Sequence, residues 1–207
     1  MNAQQAVEWI SAARFAPFLD AADGHHERAV ELYEWHARLA GACFETLHHF
    51  EVLVRNSIDA ELGRFQPDRP LRDTWLMDFN VLQPEGIKQV IIAVERLERG
   101  QEPGRGRVVA GLSFGFWPGL FGRHYEEIWR HRLRNAFPGA AMKKDLSEPM
   151  KLIQRFRNRI AHHDCLLGQP VVERYADMRR IAGWVDPAAE AWLTSRSQID
   201  ELLAAKP

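Results

Sequence analysis

Apolar residues recur every three or four positions along most of the chain, which is the spacing of one face of an α-helix. The longest such pattern runs over about residues 24–65, and Gly41 is the position where it could bend. Its apolar positions are Leu32, Trp35, Leu39, Cys43, Leu47, Phe50, Val54, Ile58 and Leu62. No stretch of convincing length alternates as a strand does, although short pairing near residues 108–112 stays open.

The other periodic segments predict shorter helices. They cover residues 4–15, 85–99, 125–136, 147 to about 163, 171–184 and 187–204. Ser147 is a plausible N-cap, with Pro149 in the first turn, and residues 103–107 are interpreted as a loop. The pattern therefore predicts an all-α helical bundle.

Composition limits the class of protein. With 207 residues, 46% hydrophobic and 27% charged, the chain can form a single domain around one core, over residues 1–207. No apolar run approaches the roughly 20 residues that cross a bilayer, and the start shows no secretory signal. Cys43 and Cys165 form no disulfide framework. We expect a cytoplasmic protein without a membrane segment.

Charge is unevenly distributed. Between Arg123 and Arg159 ten basic residues face four acids, a charge of +6, whereas the whole chain carries −1, which leaves −7 for the rest. A basic surface on an otherwise acidic protein is suited to selective phosphate binding. A solvated helix face with compensating acids nearby in space is the alternative.

The segment Arg155-Phe-Arg-Asn-Arg-Ile-Ala-His-His-Asp164 concentrates the candidate chemistry. Arginine binds phosphate through a planar charged fork, and histidine transfers protons near neutral pH. At about 100° per residue, Ile153, Phe156 and Ile160 form the buried stripe, and Arg157 stands about 140° from His162. One regular helix would therefore not direct Arg157 and His162 at the same atom. Either the helix end distorts, or two copies of the helix face each other across a dyad.

Glu51 is a second charged feature, close to the apolar stripe of the long helix. Arg55 follows four residues later, in the favourable order for an ion pair. The pattern favours a structural Glu51–Arg55 pair over a catalytic role, and leaves open a contact with an arginine of residues 155–159.

Three segments in order resemble one family. Arg157-Asn-Arg-Ile-Ala-His-His163 is similar to the R-x4-6-H signature of HEPN domains, in the form seen in Abi-like (abortive infection) proteins. Phe50-Glu-Val-Leu-Val-Arg-Asn56 and Leu112-Ser-Phe-Gly-Phe-Trp-Pro-Gly-Leu-Phe121 resemble further parts of it. The resemblance is strongest over residues 44–166.

The resemblance implies a HEPN-type helical bundle with additional peripheral helices, usually dimeric. It implies a metal-independent ribonuclease site in the dimer cleft, without a cofactor, in a toxin or an antiphage effector. Arg157, Asn158 and His162 take the catalytic positions. The supporting positions are His163, Glu51, Arg55, Arg155 and Arg159, and the RNA-binding positions are Lys151, Arg155 and Arg159. RNA is the expected partner, with an antitoxin or a noncoding RNA as inhibitor.

Some alternatives remain at this point. His163 permits an R-x5-H alignment, so either histidine can be the catalytic one. Asp164 stands where some toxin members carry a tyrosine that is modified to inactivate them. The family also contains non-catalytic modules that bind RNA or protein. The paired histidines lack the spacing of a zinc site, and Phe114, Phe116, Trp117 and Phe121 favour core packing over base stacking.

Overall fold

The protein is all-helical in the part of the chain described by its computed structural model, residues 3–64, 66, 69–97 and 103–207. In chain order its α-helices are α1 (Ala3–Ile10), α2 (Ala12–Ala21), α3 (His26–Leu62), α4 (Pro84–Leu97), α5 (Arg105–Gly111), α6 (Phe116–Gly119), α7 (Glu126–His131), α8 (Lys143–Ala161), α9 (Val171–Val185), α10 (Pro187–Arg196) and α11 (Ile199–Ala204). Short 3₁₀ turns occupy Leu71–Asp73, Trp75–Met77, Arg123–Tyr125 and Leu133–Ala136. No strand occurs in these ranges, so the all-α prediction is confirmed and residues 108–112 form no β-pairing.

Helix α3 is the central element. It runs for 37 residues, about 55 Å at the rise of an α-helix, and continues through Gly41 without interruption. Every apolar position that the sequence assigned to its stripe is buried. Helices α2, α8, α9, α10 and α11 all pack against it. The position of α11 is fixed by the indole N–H of Trp35, which donates to the carbonyl oxygen of Leu202 at 2.6 Å.

A second part of the core is aromatic. Phe114, Phe116, Trp117 and Phe121 are all at most 3% exposed, as the core-packing interpretation predicted. Trp75 joins them at 0% exposure, with its ring centroid 6.2 Å from that of Phe116. This packing excludes the four side chains from base stacking, because their faces are covered by the protein itself.

Several predicted boundaries are wrong. The helix expected over residues 4–15 is split into α1 and α2 by Ser11, whose φ is +74°. Of the loop expected at residues 103–107, residues 105–107 instead form the start of α5. The helix expected over residues 187–204 is interrupted by Ser197, in extended backbone between α10 and α11. These breaks depend on individual backbone torsions, which hydrophobic spacing does not report.

Helix α8 begins earlier than predicted. Its N-cap is Met142, whose N–H donates to the carboxylate of Asp145 at 2.8 Å. Ser147 is therefore not the cap, and Pro149 lies inside the helix rather than in its first turn. The predicted buried stripe of Ile153, Phe156 and Ile160 is confirmed, at no more than 6% exposure.

Candidate functional site

The end of α8 determines where the candidate side chains point. The helix was expected to run to about His163, but it ends at Ala161, with His162 as C-cap. The N–H of His163 donates to the carbonyl of Ile160, and the N–H of Asp164 to that of Arg159, both at 2.9 Å. This pair of bonds is a Schellman motif, with His163 in the left-handed region at φ +56°. The helix end is thus distorted relative to a regular helix, but the distortion redirects His163 and does not bring His162 to Arg157.

One side of this helix end opens into a cavity of about 830 Å³ between α2, α3 and α8, named here the Arg157 cavity. Its polar lining consists of Arg14, His36, Arg157, His163, Asp164 and Cys165. Its apolar lining consists of Ala13, Pro17, Phe18, Tyr33, Ala37, Ala40, Gly41, Phe44, Ile160 and Ala161. The reversal of the chain at His163 therefore brings this histidine to the same cavity as Arg157.

The other side of α8 faces a separate cleft of about 480 Å³, next to α9, named here the Asn158 cleft. Its polar lining consists of Arg155, Asn158, Arg159, His162, Asp164, Gln169 and Arg174. Asp164 also lines the Arg157 cavity, so the two spaces adjoin at the helix end. Of the motif residues, Asn158 and His162 are together in this cleft, and Arg157 is not with them.

Glu51 lies beside Arg157 and Arg55, around a small cavity of about 190 Å³. Burial raises the pKa of the Glu51 carboxyl, and the positive charges of Arg157 and Arg55 act in the opposite direction. The direct Glu51–Arg55 ion pair that the sequence favoured does not form within the described residues. The Nε of Arg55 is buried and has no hydrogen-bond partner in the described part of the chain. Glu51 interacts with both arginines at longer range, through their charges.

Two residues that sequence reasoning missed hold the chain after α8. Nη1 of Arg14 donates to the carbonyl oxygen of His163 at 3.2 Å. Nε2 of His36 accepts the N–H of Leu166 at 3.0 Å, and burial lowers the pKa of this imidazole. His36 is therefore neutral and accepting in the folded protein. A signal was present, because His36 interrupts the apolar stripe between Leu32 and Leu39, where a polar residue needs a partner.

The basic residues of α8 differ in their ion pairing. Lys151 pairs with Glu148 at 3.3 Å, on the exposed surface. Arg159 lies 4.0 Å from Asp164, the limit for an ion pair. Arg155 is exposed and pairs with no carboxylate in the described part of the chain. The cationic side chains of the Asn158 cleft are thus largely available to an anion.

Arg174 of α9 completes this cleft, and sequence reasoning also missed it. It is 13% exposed and pairs with Asp177 at 3.2 Å, yet its Nε and Nη1 are buried without partners in the described structure. Asp177 also pairs with Arg180, so one carboxylate is shared between two guanidinium groups. The cleft therefore has an excess of positive charge.

The structure gives less support to metal binding and to a reactive Cys43 thiol. In the ranges it describes, no three His, Cys, Asp or Glu residues are grouped so that they could hold a metal ion. The Cys43 thiol is buried, which raises its pKa to about 12 and leaves it protonated. Arg105, considered above as part of a loop, forms an ion pair with Asp59 at 3.2 Å. None of the helices in the described ranges is long and apolar enough to span a membrane.

Comparison with known proteins gives no relative from which the role of this site could be inferred. No family model, no curated protein and no solved structure matches this chain.

Proposed function

We propose that this protein is a metal-independent endoribonuclease of the HEPN type, Abi-like, which cleaves RNA as a toxin or in defence against phage. The observation that carries the proposal is the cavity shared by Arg157 and His163, a phosphate-binding group and a proton-transfer group. The protein would act in the cytoplasm as a homodimer, held inactive by an antitoxin or a noncoding RNA.

The backbone of His163 adds a second argument. The left-handed region costs an L-residue about 1–2 kcal/mol, and glycine is the usual residue at this position of a Schellman motif. His163 adopts φ +56° there, although glycine would relieve the strain. Strained backbone of this kind concentrates at functional sites. The strain is explained if the imidazole is needed in the cavity.

The proposed reaction needs no metal ion. His163 takes the proton of the RNA 2′-hydroxyl, the 2′ oxygen bonds to phosphorus, and the bond from phosphorus to the 5′ oxygen breaks. A histidine of the second copy donates a proton to the departing 5′ oxygen. The products are a 2′,3′-cyclic phosphate and a 5′-hydroxyl. Arg157 stabilises the negative charge that gathers on the five-coordinate phosphorus.

The remaining candidates take supporting roles. The carboxylate of Glu51 attracts the guanidinium groups of both Arg157 and Arg55, and in this way it positions Arg157. Asn158 and His162, with Arg155 and Arg159, bind the RNA backbone in the Asn158 cleft, next to Lys151. An alternative assignment keeps Arg157, Asn158 and His162 as the catalytic set, and it requires a second copy to bring the two sides of α8 together.

A cleavage assay distinguishes these assignments. Purified protein is incubated with total tRNA in EDTA, beside the variants Arg157→Ala, His163→Gly and His162→Ala. Glycine tolerates the positive φ of position 163, so His163→Gly removes the imidazole without adding strain. We expect Arg157→Ala and His163→Gly to reduce cleavage at least about 100-fold, and His162→Ala to retain it.

Each other outcome has a definite meaning. Loss of cleavage in His162→Ala, with His163→Gly active, would transfer the catalytic role to His162. Cleavage that stops in EDTA would contradict the mechanism. Circular dichroism of each variant shows whether the helical content is retained, so that a loss of folding is recognised as such.

A non-catalytic RNA-binding module is the second candidate function. The excess of arginine over carboxylate in the Asn158 cleft favours it, because such a surface binds phosphates without cutting them. In the same assay this candidate predicts intact RNA with every variant. It also predicts an RNA affinity that falls as salt rises and that His163→Gly leaves unchanged.

A further inference from the structure

The Arg157 cavity extends well beyond the two groups that the proposed reaction uses. Its volume of about 830 Å³ lies within the roughly 300–1,000 Å³ typical of small-molecule sites. The floor is formed by one face of α3, at Ala37, Ala40 and Gly41. Because alanine and glycine have little or no side chain, this face of α3 leaves an open apolar surface that extends from Arg157 along the cavity.

Gly41 is an exposed position of α3, and the packing of the chain leaves room for a side chain there. A Cβ at this position would meet no atom within 4 Å beyond the adjacent residues and the backbone of its own helical turns. Glycine in the middle of a helix is unfavourable relative to alanine, because it loses more backbone freedom on folding. Glycine is used where something must approach the backbone closely. Gly41 lines the cavity, so a group that enters the cavity can approach the backbone of α3 at this position.

The walls of the cavity indicate what that group is. Phe44 is 49% exposed, and Tyr33 is half-buried with its ring nearly perpendicular to that of Phe18. Exposed aromatic faces stack with nucleobases. Arg14 and Arg157 add positive charge, which suits a ligand that carries phosphate. Flat apolar area, aromatic rings and two guanidinium groups together fit a nucleotide.

We propose that the Arg157 cavity binds a single unpaired nucleobase, next to the phosphate that Arg157 holds, against Gly41 and Phe44. This inference rests on the proposed function, and it names the substrate class as single-stranded RNA. A base inside a duplex is stacked on both faces and cannot enter, whereas bases of loops and single strands can be splayed out.

The test uses a short fluorescent RNA of mixed sequence, 2′-O-methylated so that it cannot be cut, as a single strand and as a duplex. Its affinity is measured by anisotropy for the wild type, Gly41→Leu, Gly41→Ala and Phe44→Ala. Leucine at position 41 extends into the base site, whereas alanine adds a single methyl group to open space. Gly41→Ala is therefore the matched control, and thermal unfolding verifies that each variant is folded.

We expect Gly41→Leu to weaken single-strand binding at least about tenfold, Gly41→Ala to change it less than about twofold, and neither to affect the duplex. Phe44→Ala should weaken it by about 5- to 150-fold, which corresponds to about 1–3 kcal/mol of base–aromatic stacking. Single-strand binding unchanged in Gly41→Leu would overturn the inference, even if the wild type cuts RNA.

The outcome is independent of cleavage because the probe has no free 2′-hydroxyl. Weakened probe binding in Gly41→Leu, together with wild-type protein that cuts no RNA, would support the base site and reject the ribonuclease. Light scattering identifies the competing occupant. If Gly41→Leu changes the mass of the assembly and leaves probe binding intact, this face binds a second copy of the chain, and the inference is wrong.

Discussion

At Glu51, burial and neighbouring charges shift the pKa of the carboxyl in opposite directions. Loss of water around the half-buried carboxyl raises its pKa, and Arg157, Arg55 and His48 only partly offset that effect. A group whose pKa is raised by folding favours the folded state at low pH, and it loses this contribution as pH rises through the folded pKa. At neutral pH Glu51 is therefore a cost to stability relative to a side chain without a charge, and groups with a perturbed pKa are common at functional sites.

The substitution Glu51→Gln tests whether Glu51 costs stability at neutral pH. The variant is neutral at every pH, so at pH 7 we expect a melting temperature equal to or above that of the wild type. The difference should disappear below about pH 4.5, where Glu51 is protonated in both the folded and the unfolded state. Thermal unfolding followed by circular dichroism at pH 4 and pH 7 measures it.

Glu126→Gln is the control of opposite sign. A hydrogen bond from Lys143 lowers the pKa of Glu126, so this carboxylate favours folding above its ordinary pKa. Its replacement should not raise the melting temperature at pH 7. A lower melting temperature of Glu51→Gln at pH 7 would contradict the interpretation, because it would make the Glu51 charge a net contributor to folding.

At the scale of elements, the end of α3 is joined to the start of α5 by one arginine. Nε of Arg105 pairs with Asp59 at 3.2 Å, and its Nη1 donates to the carbonyls of Gly63 and Gln66 at 3.4 and 3.3 Å. Asp59 also accepts the indole N–H of Trp75 at 2.8 Å. Arg105 therefore has a structural role, because it joins two helices and a turn that are distant in the chain.

Arg105→Ala should destabilise the fold by about 1–3 kcal/mol, because Asp59 and two carbonyls lose a charged donor. Arg107, on the same helix, is exposed, so Arg107→Ala is the matched control and should change stability by less than about 0.5 kcal/mol. Urea unfolding of both variants provides the comparison. Equal stability, combined with weaker RNA binding in Arg105→Ala alone, would instead give Arg105 a role in phosphate binding.

At the scale of the whole molecule, the arginines near the end of α8 line two separate spaces, one on each side of the helix. Arg157 and His163 line the Arg157 cavity, whereas Arg155, Arg159 and Arg174 line the Asn158 cleft. Asp164 lines both, so an RNA strand that crosses the helix end can contact each of them. Under the proposed function, the cleft would set the affinity for RNA and the cavity would perform the chemistry.

RNA affinity should therefore depend on salt through the cleft. For a single strand, the slope of log K against log salt changes by about 0.7 for each phosphate contact. We expect the double variant Arg155→Ala/Arg159→Ala to reduce the slope by about 1.4 in anisotropy titrations between 50 and 200 mM salt. Arg130→Ala is the control, because Glu126 and Glu127 already pair with Arg130. An unchanged slope in the double variant would remove the cleft from the RNA path.

The sequence by itself determined the all-α class and the buried faces of α3 and α8. Helical periodicity is a local property, so Leu32 to Leu62 and Ile153 to Ile160 could be assigned without knowledge of the fold. The sequence also identified the chemically unusual segment, because a concentration of arginine, asparagine and histidine can be recognised without knowledge of the fold. It did not determine which of these side chains lie together.

Only the tertiary structure decided that. Arg157 and His163 share a cavity because α8 ends in a left-handed residue, and spacing along a regular helix gives no sign of such an end. The contacts that hold this end join residues far apart in the chain, 149 positions for Arg14 with His163 and 130 for His36 with Leu166. The Arg157 cavity is likewise formed by three helices that only packing brings together. Distant contacts of this kind depend on the whole fold, and local pattern does not encode them.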